Sequence, residues 1–122
     1  MFTLNNDAAL VKGAAAELTR LAHEAAADVG MIQPTLLFKS RPHHLNTKGI
    51  ALTRLGWGVD RGFGTLFDAS EGPREIFCAS AGAALYRRSM LDQVALVSGV
   101  FDRTFFMYFE DTDLGWLESH PL

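Results

Sequence analysis

Residues 75–88, EIFCASAGAALYRR, decide how the chain is read. An apolar run, Ile76 to Cys78, gives way to small residues around Gly82 and returns to apolar at Leu85 and Tyr86. The pattern predicts a strand, a small-residue turn, then a second short strand or the start of a helix. Cys78 falls in the strand pattern and reads as core rather than nucleophile. Arg87 and Arg88, next to the small-residue turn, are positioned either to steady a phosphate or to stay solvated or ion-paired. Ser89 can then cap a helix over Met90–Val97 that ends at Ser98-Gly99.

Working towards the end of the chain, residues 105–116, FFMYFEDTDLGW, set four aromatic residues and a methionine before Glu110, Asp111 and Asp113. Carboxylates crowded together behind apolar side chains are partly desolvated and repel one another, which raises a pKa and suits a general base. The same acids also suit the first turn of a helix, where they meet the positive end of its dipole. A short helix is expected from about Asp111 to Glu118, and the residues alone leave structure and chemistry evenly matched.

Working towards the start, MFTL reads as the end of a buried strand that runs into Asn5-Asn6-Asp7. Polar residues at the carboxyl end of a strand suit a divalent cation that shares substrate phosphates, although spacing alone favours a turn and helix cap. Leu18, Leu21, Ala22 and Ala25 recur at helical spacing and predict a helix over Ala14–Ala26, with Gly30 as its stop. Residues 31–38, MIQPTLLF, predict a strand that Pro34 confines to an edge or breaks. From Lys39 to Pro73 the pattern is loose and glycine-rich, as in a long functional loop. RLGWGVDRGFG, 54–64, lacks the strand–glycine–helix context of a dinucleotide fingerprint. His43 and His44 are adjacent and so fall on opposite sides of an extended chain, which disfavours a shared metal. His23 and His120 read as solvent-exposed.

The 122 residues make one domain, 48% hydrophobic and 20% charged, which is a globular composition. A net charge of −3 with scattered basic residues argues against nucleic-acid binding. One cysteine forms no internal disulfide and no zinc site, consistent with a reducing, cytoplasmic setting. No signal peptide and no apolar run of membrane-spanning length is visible.

The stretch 80–116, SAGAALYRRSMLDQVALVSGVFDRTFFMYFEDTDLGW, resembles the acceptor-side half of family 2 glycosyltransferases, most closely the rhamnosyltransferase-like branch. The shared features are Gly82-Ala83, Arg87-Arg88, Gly99 to Asp102, Phe105-Phe106 and Glu110 to Leu114, in that order. Residues 4–38 resemble the family's strand–metal-motif–helix–strand segment, and 45–64 its central loop region, so the likeness covers nearly the whole chain. It implies an α/β fold: a single partial nucleotide-sugar transferase (GT-A-like) domain, a mixed sheet flanked by helices. It implies inverting transfer from a nucleotide-sugar donor to a glycan or lipid-linked acceptor. Asp7, with Asn5 in the first acidic position of the motif, would hold magnesium or manganese and the donor diphosphate. Asp111 would be the base, and Gly82, Ala83, Phe106, Tyr108, Glu110, Asp113 and Trp116 would form the acceptor pocket. Arg87 and Arg88 would steer phosphate. The setting implied is the cytoplasm, including the inner face of the membrane. The family's nucleotide-binding strands and its basic helix after the Glu-Asp motif have no counterpart here. The expectation is therefore an incomplete catalytic domain, with an exposed sheet edge open to self-association or to a partner chain. The alternatives are an inactive sugar-binding or scaffold module that keeps only the acceptor side, and an interaction protein in which both acidic sites are helix caps.

Overall fold

The computed structural model describes residues 1–95, 99–105 and 108–119. Its central strand is β7, Ala83–Tyr86, which the opening stretch predicts. Ala83 and Ala84 are wholly buried, and residues this small let other elements close over both faces of the strand. Two strands flank it, β1 (Phe2–Leu4) and β2 (Met31–Ile32), in the order β1-β7-β2. Leu4 pairs with Ala83 and Met31 with Tyr86, both antiparallel.

The helices are α1 (Ala14–Glu24), α2 (Arg88–Val94) and α3 (Glu110–Ser119). In α1 the predicted face is the one turned inward: Leu18 is buried, and Leu21 and Ala22 are half-buried. Ala84 and Tyr86 of β7 join Met90, Leu91 and Val94 of α2 and Leu114 of α3 in one core, with Phe101 packed against it. The predicted α2 differs at its start. The helix begins at Arg88 after Arg87, so Ser89 lies inside the first turn and no side chain caps it. It also ends early: the helix stops at Val94 and Ala95 is already extended, short of the predicted end at Ser98-Gly99.

The mixed sheet expected from the resemblance is corrected: every strand pair among the described residues is antiparallel. The strand predicted over 31–38 is also two strands. Pro34 has no N–H to donate to a ladder, so β2 stays in the central sheet while β3 (Leu36–Phe38) pairs with β4 (Arg41–Thr47) in a separate hairpin. A second hairpin follows, β5 (Ile50–Leu52) with β6 (Gly58–Asp60). The loose segment 39–73 is therefore largely two hairpins. The second is tied to the core by a bridge from Ile50 to Cys78, where Ile50 N–H donates to Cys78 O at 2.9 Å. The strand predicted at 76–78 exists only as this bridge.

Cys78 is buried as predicted, and burial first, then the Asp111 and Glu118 charges, push its thiol up to about 12. No helix among the described residues is long and apolar enough to cross a membrane. The accessible surface, 8557 Å² for 13.4 kDa, exceeds the roughly 6,500 Å² usual for a folded monomer of that mass. Part of the excess is apolar and lies on β1, an outer strand on which Phe2 and Leu4 are exposed.

Candidate functional site

The ladder between β1 and β7 runs one rung past Leu4. Asn5 N–H donates to Gly82 O at 2.9 Å, and the chain then turns, with Ala8 N–H donating back to Asn5 O at 3.1 Å. Asn5, Asn6 and Asp7 thus occupy an exposed turn at the carboxyl end of β1, against the small-residue turn. Asp7 is not a helix cap: α1 starts only at Ala14, preceded by Gly13 in the left-handed conformation with no side-chain cap.

The other acidic site reaches the same turn. Ala81 N–H donates to Asp111 Oδ2 at 3.2 Å, and Thr112 N–H donates to Asp111 Oδ1 at 2.8 Å. The candidate base and the candidate donor-side turn therefore meet on two consecutive residues, Ala81 and Gly82. Asp111 is oriented by backbone donors on both oxygens; Oδ1 also accepts from the Thr112 hydroxyl at 3.4 Å, so Oδ2 is the oxygen with a lone pair left for a further partner.

The sequence places Glu110, Asp111 and Asp113 in the first turn of α3, so their helix-start reading holds as well. One carboxylate oxygen of Glu110 is buried without a hydrogen-bond partner among the described residues. Burial, and secondarily the Asp102 carboxylate, hold the Asp113 carboxyl above its usual range. Tyr108 and Phe109 precede the helix with φ of 66° and 68°. The left-handed region costs a non-glycine residue about 1–3 kcal/mol, and such strain concentrates at binding sites.

Two glycines seat α3. A Cβ at Gly115 would lie 2.5 Å from Cys78 Cβ, and one at Gly58 would lie 2.5 Å from Thr112 Oγ1. The helix thus rests on the Phe77 and Cys78 side chains and the second hairpin rests on the helix. Between hairpin and helix lies a cavity of about 350 Å³ lined by Leu55, Trp57, Phe105, Phe109, Asp113 and Trp116, among others. Trp57 and Phe109 meet edge to face at 6.3 Å, and Trp116 meets Phe77 likewise at 5.4 Å. A larger open groove, about 950 Å³, runs beside α1 and the 67–78 segment, and none of the sequence-predicted site residues lines it.

Asp113 and Trp116 line this cavity, while Asn5 meets Gly82 and Asp111 meets the adjacent Ala81. Three expectations need correction. Ala83 is wholly buried in β7 and presents no surface to a ligand; it is Ala81 that contacts Asp111. Tyr108 is exposed and Glu110 half-buried, and neither lines the cavity. Arg87 and Arg88 follow the far end of β7, about 16 Å along an extended chain from Gly82. There Arg87 donates to the carbonyls of Val29 and Ala26, and Arg88 pairs with Asp92, so neither guanidinium is positioned to steer a phosphate at the Asn5–Asp7 turn. Phe106 lies outside the described residues.

Trp57 and Leu55 were not expected at the site. The available signal was a tryptophan between Gly56 and Gly58 in a stretch with no apolar period, where a large aromatic ring has no core face to join. Comparisons of the chain with protein-family models, with characterised proteins and with solved structures gave no match.

Proposed function

We propose that this chain is a glycosyltransferase-derived domain that transfers a sugar, with inversion, from a nucleotide-sugar donor to a glycan or lipid-linked acceptor. The observation that carries the reading is the meeting of Asn5 with Gly82 and of Asp111 with Ala81. A single displacement needs a base beside the acceptor hydroxyl and charge neutralisation at the leaving diphosphate. Two polar sites on adjacent residues of one turn suit that division. Asp111 takes the acceptor proton as the acceptor oxygen bonds to the anomeric carbon and the bond to diphosphate breaks.

Among the described residues, no three His, Cys, Asp or Glu side chains are gathered as a ligand set. Asp7 on its exposed turn suits magnesium or manganese held by one carboxylate, with the shell completed by diphosphate oxygens and water. When bound, the ion supplies the charge that stabilises the leaving diphosphate. The exposed outer edge of β1 is open to strand addition by a second copy or a partner chain. A lipid-linked acceptor would place the reaction at the inner face of the membrane.

A second reading, an inactive sugar-binding or scaffold module, draws support from the aromatic cavity, which is present whether or not a donor binds. Calorimetric titration with UDP-sugars and dTDP-rhamnose, with and without manganese, separates the two. Manganese-dependent binding that disappears in Asp7→Asn supports the transferase. A folded protein that binds no nucleotide-sugar under either condition removes the donor site and leaves the second reading.

A further inference from the structure

We infer that the cavity between the second hairpin and α3 is a subsite for one neutral pyranose ring, with Trp57 as its stacking platform. On the reading of this face as the acceptor side, on which the role rests, the group that enters is a glycan end rather than a lipid tail.

The lining is chemically lopsided: aromatic and aliphatic walls from Leu55, Trp57, Phe105, Phe109 and Trp116, with one carboxylate, Asp113. A pyranose matches it, since the ring has an apolar face of C–H bonds and a rim of hydroxyls. The C–H face lies on an aromatic ring, and a rim hydroxyl donates to Asp113. An acyl chain would cover that half-buried carboxylate without offering it a donor. The volume, about 350 Å³, is at the small end for ligand sites and holds a single ring better than a chain.

Trp57 is 61% exposed, which leaves its ring open to a ligand, yet its backbone is fixed. Thr53 N–H donates to Trp57 O at 2.9 Å, Trp57 N–H donates to Thr53 Oγ1 at 3.1 Å, and Gly56 N–H donates to Thr53 O at 3.0 Å. The contact of Gly58 with Thr112 holds this turn against the helix. The platform is thus set before any ligand arrives, which lowers the ordering cost of binding. The subsite also lies next to the proposed base: Thr112 lines the cavity, and its N–H is bonded to Asp111 Oδ1.

The test uses the full chain without nucleotide-sugar or metal. Methyl α-glucoside, methyl α-galactoside and methyl α-rhamnoside are titrated, with saturation-transfer NMR and tryptophan fluorescence as readouts. At least one should bind saturably at millimolar concentration, with saturation passing from the protein's aromatic protons to the sugar ring protons. Trp57→Ala should weaken it about tenfold and Trp57→Phe less, while Arg88→Ala, at the far end of β7, leaves it unchanged. Trp57 is exposed, so circular dichroism should match the parent protein. The inference is overturned if no glycoside binds at tens of millimolar, or if Trp57→Ala binds as the parent does. It is also overturned if choline binds and the glycosides do not, since an aromatic cage with a carboxylate suits a quaternary ammonium. Glycoside binding without nucleotide-sugar binding would keep the subsite and remove the transferase. Transfer with an acceptor KM indifferent to Trp57→Ala would do the reverse.

Discussion

Replacing Gly115 with alanine tests the packing that positions the candidate site. The added Cβ would lie 2.5 Å from Cys78 Cβ, 3.0 Å from Cys78 Sγ and 3.0 Å from Phe77 Cε1. Carbon atoms in contact normally sit about 3.5–4.0 Å apart, so the shortfall at Cys78 Cβ is about 1 Å. That atom is fixed to the backbone and cannot swing aside; α3 must move instead. Overpacking of this kind costs about 1–3 kcal/mol. Removing a glycine from a helix interior returns about 0.5–1 kcal/mol. The net expectation is a loss on the order of 1–2 kcal/mol, which for a domain of this size lowers the melting temperature by roughly 4–10 °C. Thermal unfolding followed by circular dichroism measures it, and the sign alone is diagnostic. A helical glycine with open space beside it gains stability on becoming alanine, so an unchanged or raised melting temperature would refute the seating of α3 on Cys78. A double variant with Cys78→Gly, which removes the nearest atoms, should recover part of the loss as a positive coupling. Cys78→Ala should not, because it keeps the Cβ.

Asp111→Asn offers one acceptor oxygen where two are used, so the Ala81 or Thr112 N–H loses its partner; stability should fall by about 1–3 kcal/mol and transfer should be abolished. Unchanged turnover would refute the base, and an unchanged melting curve would refute the Ala81 contact. Burial raises the Glu118 carboxyl above 4.5, so the fold prefers it neutral, and the stability this confers is lost as pH rises from 4.5 through the raised value. Urea unfolding of Glu118→Gln should therefore match the parent below pH 4.5 and gain on it progressively above, whereas a pH-independent difference would contradict the burial. With its thiol buried and pushed up to about 12, Cys78 should resist iodoacetamide at pH 8 until the protein is unfolded. Rapid labelling of the native protein would mean that α3 does not cover it.

What could be read from the sequence follows what one element can encode by itself. The helical spacing of Leu18, Leu21 and Ala22 gives α1, the apolar return after Gly82 gives β7, and the acids from Glu110 mark the first turn of α3. The hairpins escape because Arg41-Pro42-His43-His44 is polar and exposed pairing leaves no apolar alternation; only Leu45 and Thr47 turn inward. The commitment of Arg87 to the carbonyls of Val29 and Ala26 is a tertiary fact with no local signature. So is the cavity, whose tryptophan comes from a hairpin that the sequence leaves as a loop. The junction of Asn5 and Asp111 depends on something subtler, the register of β1 on β7. In a half-buried strand, hydrophobic burial fixes register, because a one-residue slip turns every side chain to the other face. Burial does little of that in β1, where Phe2 and Leu4 are exposed and Thr3 is only half-buried. Polar contacts hold it instead: Thr3 Oγ1 donates to Ala84 O at 3.3 Å, and Asn5 N–H to Gly82 O at 2.9 Å. The base is thus carried on the well-packed part of the fold, while the donor-side turn hangs on an edge strand whose alignment rests on a hydroxyl and a few backbone rungs. Loss of those rungs would separate Asn5 from Gly82 without disturbing α3 or its contact with Ala81.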